Sequence, residues 1–106
     1  MSALDFVKKM PAAFNADAAA GVDATIQYQI STPAYVQIKD GQCTVHEGTA
    51  ASADVTLIIE DEDLVSLLKG ELNGMTAFMT GKLQVEGDLM LAQKISSIFD
   101  PSKLAS

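Results

Sequence analysis

The dipeptide Asp40-Gly41 is the feature that most limits how this chain can fold, because it joins two runs of alternating residues, AYVQIK and QCTVHE. A two-residue turn favours Asp-Gly, since both of its central residues need positive φ angles. Such a turn also fixes the register of the two strands that it connects. The predicted opposed pairs are Lys39 with Gln42, Ile38 with Cys43, Gln37 with Thr44, and Val36 with Val45. The sequence therefore predicts a tight hairpin with one apolar face.

Three other segments also alternate between apolar and polar residues, as half-buried strands do. In the first of them Ile26, Tyr28 and Ile30 share one face, and polar residues occupy the other. The other two are DVTLIIE at 54–60 and KLQVEG at 82–87. With the two strands of the hairpin, the sequence predicts five strands.

Apolar residues spaced three or four apart predict four helices. The predicted helices lie within residues 3–10, 61–70, 73–81 and 89–99. We expect the first to end or bend at Pro11, the second to be capped by its acidic residues DED, and the last to be capped by Asp88. This order predicts an α+β domain with a five-stranded, mostly antiparallel sheet and helices largely on one face. A chain of 106 residues has room for one domain, 1–106.

Charge and composition exclude several partners. The net charge is -7, and all seven basic residues are lysine, so nucleic acid and anionic membrane surfaces are disfavoured. No run is long enough for stable membrane insertion, and the first residues lack the apolar core of a signal peptide. Cys43 is the single cysteine, so an internal disulfide and a paired-cysteine metal site are excluded. These features are typical of a cytoplasmic protein.

The sequence offers little for catalysis. It has one histidine, His46, and none of the common nucleophile, zinc-protease, phosphate-loop or dinucleotide motifs. The register places His46 on the outer face of the hairpin opposite Tyr35, and Asp61 and Asp63 are interpreted as a helix cap. We therefore predict no catalytic residue, no metal and no cofactor.

Three apolar stripes follow one another within 64–68, 75–79 and 91–99, and all of them must pack on one small sheet. The stripe of Met75, Phe78 and Met79 can be read as plain core. It can also be read as a binding surface, because methionine adapts to apolar partners of variable shape. The excess of apolar residues favours an internal binding site.

The segments VQIKDGQCTVHEG and DVTLIIEDEDLVSLLKGELNGMTAFMTGKLQVEGDLMLAQKI resemble the sterol carrier protein type 2 domain family, and the resemblance covers nearly the whole chain. It implies an apolar tunnel between sheet and helices that binds fatty acids, acyl-coenzyme A, sterols or other lipids. It further implies that Phe78, Met79, Leu83, Leu91 and Ile95 line this tunnel. The full set of candidate ligand-binding residues is Leu64, Leu68, Met75, Phe78, Met79, Leu83, Leu91, Ile95, Ile98 and Phe99.

Two departures from the family change what we expect of this chain. Some members hold a fatty-acid carboxylate with arginine, and this chain has no arginine, so a bidentate clamp on an anionic head group is missing. Peroxisomal members end in a Ser-Lys-Leu address. Here Ser102-Lys103-Leu104 is followed by two more residues, so peroxisomal import is not expected.

The leading hypothesis is therefore a non-catalytic lipid-binding or lipid-transfer protein whose partner is a lipid or another long apolar molecule. One alternative is a protein-interaction module, in which the last helix docks a partner or a second copy to form a homodimer. Another is an accessory module that presents a lipid-like substrate to separate enzymes.

Overall fold

The predicted hairpin is present in the computed structural model, which describes residues 3–99. Asp40 and Gly41 both have positive φ, 52° and 74°, as a type I′ turn requires. The four predicted pairs are the observed ones. The prediction of the hairpin and its register is therefore confirmed.

The described residues form four helices and five strands. The helices are α1 (Ala3–Ala13), α2 (Asp61–Leu68), α3 (Gly74–Met79) and α4 (Leu89–Ile98). The strands are β1 (Ala24–Gln29), β2 (Ala34–Lys39), β3 (Gln42–Glu47), β4 (Val55–Ile59) and β5 (Leu83–Gly87). Within residues 3–99 this is the α+β content that the sequence predicts. The segment 102–104, which is not expected to act as a peroxisomal address, lies outside the described residues.

The sheet has the strand order β3-β2-β1-β4-β5 and is mixed. The pairs β1–β2, β2–β3 and β4–β5 are antiparallel, whereas β1 and β4 are parallel. Local turns predict only antiparallel neighbours, so the parallel pair did not follow from the sequence. It arises because the segment 48–54 leaves the edge strand β3 and crosses back to the far side of β1, where the chain resumes the direction of β1.

One face of this sheet is apolar and carries the helices. The buried side chains on this face are Ile26, Tyr28, Val36, Ile38, Leu57 and Ile59. Helix α1 packs here with Phe6, Val7 and Met10 buried, and its Lys8 pairs with Glu47 of β3, Nζ to Oε2 3.4 Å. The opposite face of β2 and β3 is largely polar and exposed.

Two expectations about helix ends were wrong in part, and the acidic residues Asp61, Glu62 and Asp63 do lie in the first turn of α2, as predicted. Helix α1 does not end at Pro11 but continues to Ala13. The proline lies near the C-terminal end, so only two helical residues follow the position that lacks an N–H donor. Helix α2 has Glu60 at its N-cap position and no side-chain capping bond. The Asp61 carboxylate instead accepts hydrogen bonds from the backbone N–H and the hydroxyl of Ser31, which follows β1.

Candidate functional site

A cavity of about 590 Å³ lies between the sheet and helices α2, α3 and α4. Its volume is within the range of about 300–1,000 Å³ that ligand sites usually have. The lining residues are Tyr28, Leu57, Leu67, Leu68, Gly70, Leu72, Asn73, Gly74, Met75, Phe78, Leu83, Val85, Leu89, Ala92, Gln93, Ile95 and Phe99. Most of these side chains are apolar, so the cavity suits an apolar occupant.

The floor of the cavity is formed by three neighbouring strands. Tyr28 of β1 lies beside Leu57 of β4 in the parallel pair, and Leu57 lies opposite Val85 of β5 in the antiparallel pair. Because side chains alternate along a strand, these three and Leu83 all point to the helix-covered face. The register of the sheet therefore assembles the floor from distant parts of the sequence.

Helices α3 and α4 form the wall, and a side-chain cap starts each of them. The side-chain oxygen of Asn73 accepts hydrogen bonds from the N–H groups of Met75 and Thr76, at 2.8 and 3.4 Å. The Asp88 carboxylate likewise accepts from Met90 and Leu91, at 3.0 and 3.1 Å. These caps fix where each helix begins, and hence which residues face the cavity. The cap predicted at Asp88 is confirmed.

Helices α3 and α4, which line the cavity, also carry large apolar side chains that are exposed, and this set is called the apolar rim here. It consists of the exposed residues Met75, Phe78, Met79, Leu89 and Met90. Met75, Phe78 and Leu89 also line the cavity, so the rim and the interior form one continuous apolar surface. A cluster of large exposed apolar residues is unusual on a protein surface and is typical of binding sites.

The ten candidate residues divide into three groups. Six line the cavity, namely Leu68, Met75, Phe78, Leu83, Ile95 and Phe99. Leu64, Leu91 and Ile98 are buried in the core and do not contribute to the wall. Met79 is 77% exposed and lies on the rim, outside the cavity.

Sequence reasoning did not select several residues that the structure places at the cavity. They include Tyr28, Leu57, Leu67, Leu72, Val85, Leu89 and Ala92. Tyr28 is on the predicted apolar face of the first strand, and the alternation in DVTLIIE puts Leu57 on the apolar face of its own strand, but the three apolar stripes that indicated a site begin only at Leu64. Carrying that face assignment across all strands would have found both of them.

Among the described residues, no charged side chain lines the cavity, and its polar side chains are Tyr28, Asn73 and Gln93. The Tyr28 side chain is 1% exposed, and burial raises the pKa of its phenol well above the ordinary value, with a smaller contribution from the nearby Cys43. Its hydroxyl has no hydrogen-bond partner within residues 3–99. An unpaired buried hydroxyl costs about 1–3 kcal/mol of stability.

The side chains considered for chemistry lie elsewhere. His46 stacks on Tyr35 on the outer face, with ring centroids 5.1 Å apart, and its Nε2 lies 3.2 Å from the Thr44 hydroxyl. Cys43 is half-buried, and burial raises the pKa of its thiol to about 11, so it stays a weakly nucleophilic thiol near neutral pH. In the part of the chain that the structure describes, no group of three potential ligands could hold a metal ion, and no helix is long and apolar enough to cross a membrane.

Fold and site together define a small α+β domain with an apolar cavity between a mixed sheet and its helices. The model of the SCP-2 sterol transfer family matches residues 7–100, and the chain belongs to this family. The solution structure of palmitated SCP2L2 from Aedes aegypti superimposes with a TM-score of 0.74 at 25% identity, covering 92% of this chain and 94% of that one.

Two relatives contain a similar sequence within longer proteins. Peroxisomal multifunctional enzyme type 2 of Mus musculus is 42% identical over 71 residues, which are 65% of this chain and 10% of that protein. Oleate-induced peroxisomal protein POX18 of Candida maltosa is 43% identical over 61 residues, which are 58% of this chain and 48% of that protein. The match thus spans less than half the length of either relative.

Proposed function

We propose that this chain binds a long apolar ligand in the cavity and carries it without performing chemistry on it. The observation that carries the proposal is the continuity of the apolar cavity with the exposed apolar rim, which offers both a binding site and a route into it. The family match and the palmitated structure from Aedes aegypti support a lipid as the occupant. In this proposal the cavity is the tunnel that the sequence resemblance implies.

The energy of binding comes from burying the hydrocarbon tail. A tail of about fifteen methylenes gains roughly 12 kcal/mol gross at about 0.8 kcal/mol per CH₂, before the costs of association are subtracted. No arginine is available to clamp an anionic head. We therefore propose broad binding of fatty acids, acyl chains, sterols or similar molecules, in which the tail contributes most of the affinity.

The candidate residues have different roles in this proposal. The six that line the cavity contact the ligand directly, whereas Leu64, Leu91 and Ile98 hold the surrounding core in place. Met79 contributes to the rim and not to the bound state. We propose neither catalysis nor a cofactor, and the cytoplasm as the compartment, where a lone Cys43 stays reduced.

A matched pair of substitutions on α3 tests the proposal. Phe78 lines the cavity and is 48% exposed, whereas Met79 is 77% exposed and lies outside it. Because both side chains are accessible, neither change should lower the free energy of unfolding by more than about 1 kcal/mol. We expect Phe78→Ala to weaken binding of a tail-labelled fluorescent fatty acid about 5- to 30-fold, since it removes about 1–2 kcal/mol of apolar contact.

The control is Met79→Ala, which should bind the labelled fatty acid within about twofold of the wild-type protein. The titration follows the fluorescence of the probe with delipidated protein. Delipidated wild-type protein that binds no such probe would rule out the carrier function. If the two variants weaken binding of the probe equally, the ligand binds at the rim and not in the cavity.

The exposed rim also favours a second candidate function. Its five large apolar residues could dock a second copy of the chain, as a homodimer, or an enzyme to which a lipid-like substrate is presented. Sedimentation velocity across a range of concentrations distinguishes the candidates. A dimer that dissociates when Met79 and Met90 are replaced by serine, in protein that binds no lipid, would favour the interaction module.

A further inference from the structure

Helix α3 exposes the kind of side chain that a surface helix normally buries. Of its residues only Ala77 is buried, whereas Met75, Phe78 and Met79 are 59%, 48% and 77% exposed. These three lie at positions i, i+3 and i+4, so they share one helix face. An amphipathic helix turns such a face towards the core. Because α3 leaves it largely exposed, the face is available to a partner outside the chain.

Helix α4 adds a second exposed apolar pair in its first turn. Leu89 and Met90 are 51% and 71% exposed, and they follow directly on the cap at Asp88. Leu89 also lines the cavity, as do Met75 and Phe78 of α3. A partner that covers these three side chains therefore lies next to the cavity.

The charge of the chain is divided unevenly between the segment that carries the rim and the rest. Residues 3–71 contain eleven acidic residues and four lysines, which gives a net charge of -7, whereas residues 72–99 contain two acidic residues and two lysines and are neutral. No charged residue lies between Leu72 and Gly81. A neutral, apolar surface fits a partner that carries no net charge and has hydrocarbon beneath its outer layer. A zwitterionic bilayer has this chemistry.

The size of the rim argues against a stable contact with a second copy. A stable protein interface takes about 20–30 residues a side, and the rim has five large apolar residues. A bilayer needs fewer, because an apolar helix face enters only about 5–10 Å into the boundary between head groups and acyl chains. Three of the five are methionine, whose unbranched side chain adapts to a partner without a fixed shape.

We propose that the rim docks on the surface of a zwitterionic lipid bilayer, with the apolar face of α3 and the first turn of α4 entering the region just below the head groups. Docking is shallow and reversible. It brings the cavity to the hydrocarbon from which a ligand is collected, or to which it is delivered. The inference deepens the lipid-carrier function and rests on it for the ligand that is exchanged.

A single tryptophan reports docking directly, because the chain has none of its own. Met79→Trp places it on the rim and outside the cavity. The matched control, Gln37→Trp, places it on the exposed outer face of β2. Phosphatidylcholine vesicles with brominated acyl chains quench a tryptophan that enters them. We expect quenching and a blue shift of the emission for Met79→Trp and neither for Gln37→Trp, and equal quenching of the two would overturn the proposal.

Co-flotation with phosphatidylcholine vesicles measures docking without an added tryptophan. Relative to wild type, Met79→Glu/Met90→Glu should lower the partition coefficient about 10- to 100-fold, because charged groups replace two apolar contacts. The control Gln37→Glu/Gln42→Glu adds the same charge to the outer face of the hairpin and should bind within about twofold of wild type. Equal losses for the two variants would show that added charge, and not the rim, determines binding.

Binding of the tail-labelled fluorescent fatty acid without vesicles is measured on the same proteins, so the two proposals fail separately. If delipidated wild-type protein takes up the fatty acid but does not float with the vesicles, the docking surface is wrong and the carrier function stands. If it floats with the vesicles but takes up no fatty acid, the carrier function fails and the docking surface stands. A dimer in sedimentation velocity that Met79→Glu/Met90→Glu dissociates, in protein that binds no vesicles, would assign the rim to a second copy and overturn the proposal.

Discussion

At Gly87 the backbone leaves no space for a side chain. A Cβ there would lie 2.5 Å from the carbonyl oxygen of Asp54 and 3.2 Å from the Cα of Val55, and the residue has a φ of +99°. Gly87→Ala therefore combines a backbone clash with an unfavourable conformation, and we expect it to lower the free energy of unfolding by about 2–4 kcal/mol. Urea denaturation followed by circular dichroism measures the loss.

Gly74→Ala is the matched control for this prediction. A Cβ at Gly74 would be 3.6 Å from Cδ1 of Leu67, an ordinary contact, and the residue begins helix α3. This change should alter stability by less than about 1 kcal/mol in either direction. Equal effects of the two substitutions would contradict the geometric argument.

Gln27 is the polar residue whose role the sequence did not reveal. Alternation along β1 placed it on the outer face, yet it is buried, because the crossing segment 48–54 lies over it. Its amide donates to the carbonyl oxygens of Ala34 and Gly48, both at 3.2 Å, and its oxygen accepts from the N–H of Ala50 at 2.7 Å. The segment 48–54 has no apolar period, so nothing in the sequence indicates that it covers a strand.

We expect Gln27→Leu to lower the free energy of unfolding by about 1–3 kcal/mol, because it leaves these backbone groups without partners. Gln37→Leu, on the same outer face but exposed, should change it by less than about 0.5 kcal/mol. The comparison is made at the urea midpoint, with unchanged slope. Equal midpoints for the two variants would mean that water replaces the Gln27 bonds at no cost.

The junction between β1 and α2 illustrates how elements are tied together across the sheet. The Asp61 carboxylate accepts hydrogen bonds from the Ser31 hydroxyl and from the Ser31 N–H. These bonds, the hydroxyl first, lower the pKa of Asp61. The pKa of the folded state is thus below that of the unfolded state, so the contribution to stability is present above the unfolded value of about 3.9 and is lost as pH falls through the folded value.

Ser31→Ala removes the larger of these two contributions. We expect the variant to be less stable than wild type at pH 6, and the gap to close as the pH is lowered below the folded pKa of Asp61. Urea denaturation from pH 6 to 2.5 measures this, with the exposed Ser97→Ala as control. A gap that stays constant over this range would show that the Ser31 hydroxyl acts on stability without the Asp61 charge.

Sequence patterns gave the elements themselves more reliably than their arrangement. The Asp40-Gly41 turn and the Asp88 cap depend on residues within a few positions of each other, and both predictions are confirmed. The parallel pairing of β1 with β4 joins Ile26 to Val55, and no local turn records such a distant contact. The side-chain cap predicted at the acidic start of α2 was wrong for the same reason, since the partner of Asp61 lies thirty residues earlier in the chain.

At the scale of the whole molecule, periodicity shows which side chains point inward but not what they meet there. Leu64 and Ile98 point inward and are fully buried in packed core, whereas Leu68 and Ile95 point inward and line the cavity. The difference depends on how far apart α2, α4 and the sheet are held, which is a property of the assembled fold. The amino-acid sequence alone therefore predicts an apolar interior but not the position of a cavity within it.

The net charge of -7 leads to a prediction about how the protein meets membranes. A lipid carrier must approach a bilayer to collect or deliver its ligand, and an acidic chain is repelled by anionic lipid. We expect transfer of a fluorescent fatty acid to zwitterionic phosphatidylcholine vesicles to be faster than to vesicles that contain phosphatidylserine. Stopped-flow fluorescence at low ionic strength measures the two rates.

The salt dependence of these rates identifies the cause. The Debye length falls from about 30 Å at 0.01 M to about 3 Å at 1 M salt, so the difference between the two vesicle types should largely disappear over that range if repulsion produces it. Transfer that is faster to the anionic vesicles at low salt would mean that individual lysines, such as Lys82 between α3 and β5 or Lys94 on α4, outweigh the net charge. In that case their replacement by glutamine should reverse the preference, whereas Lys8→Gln on α1 should not.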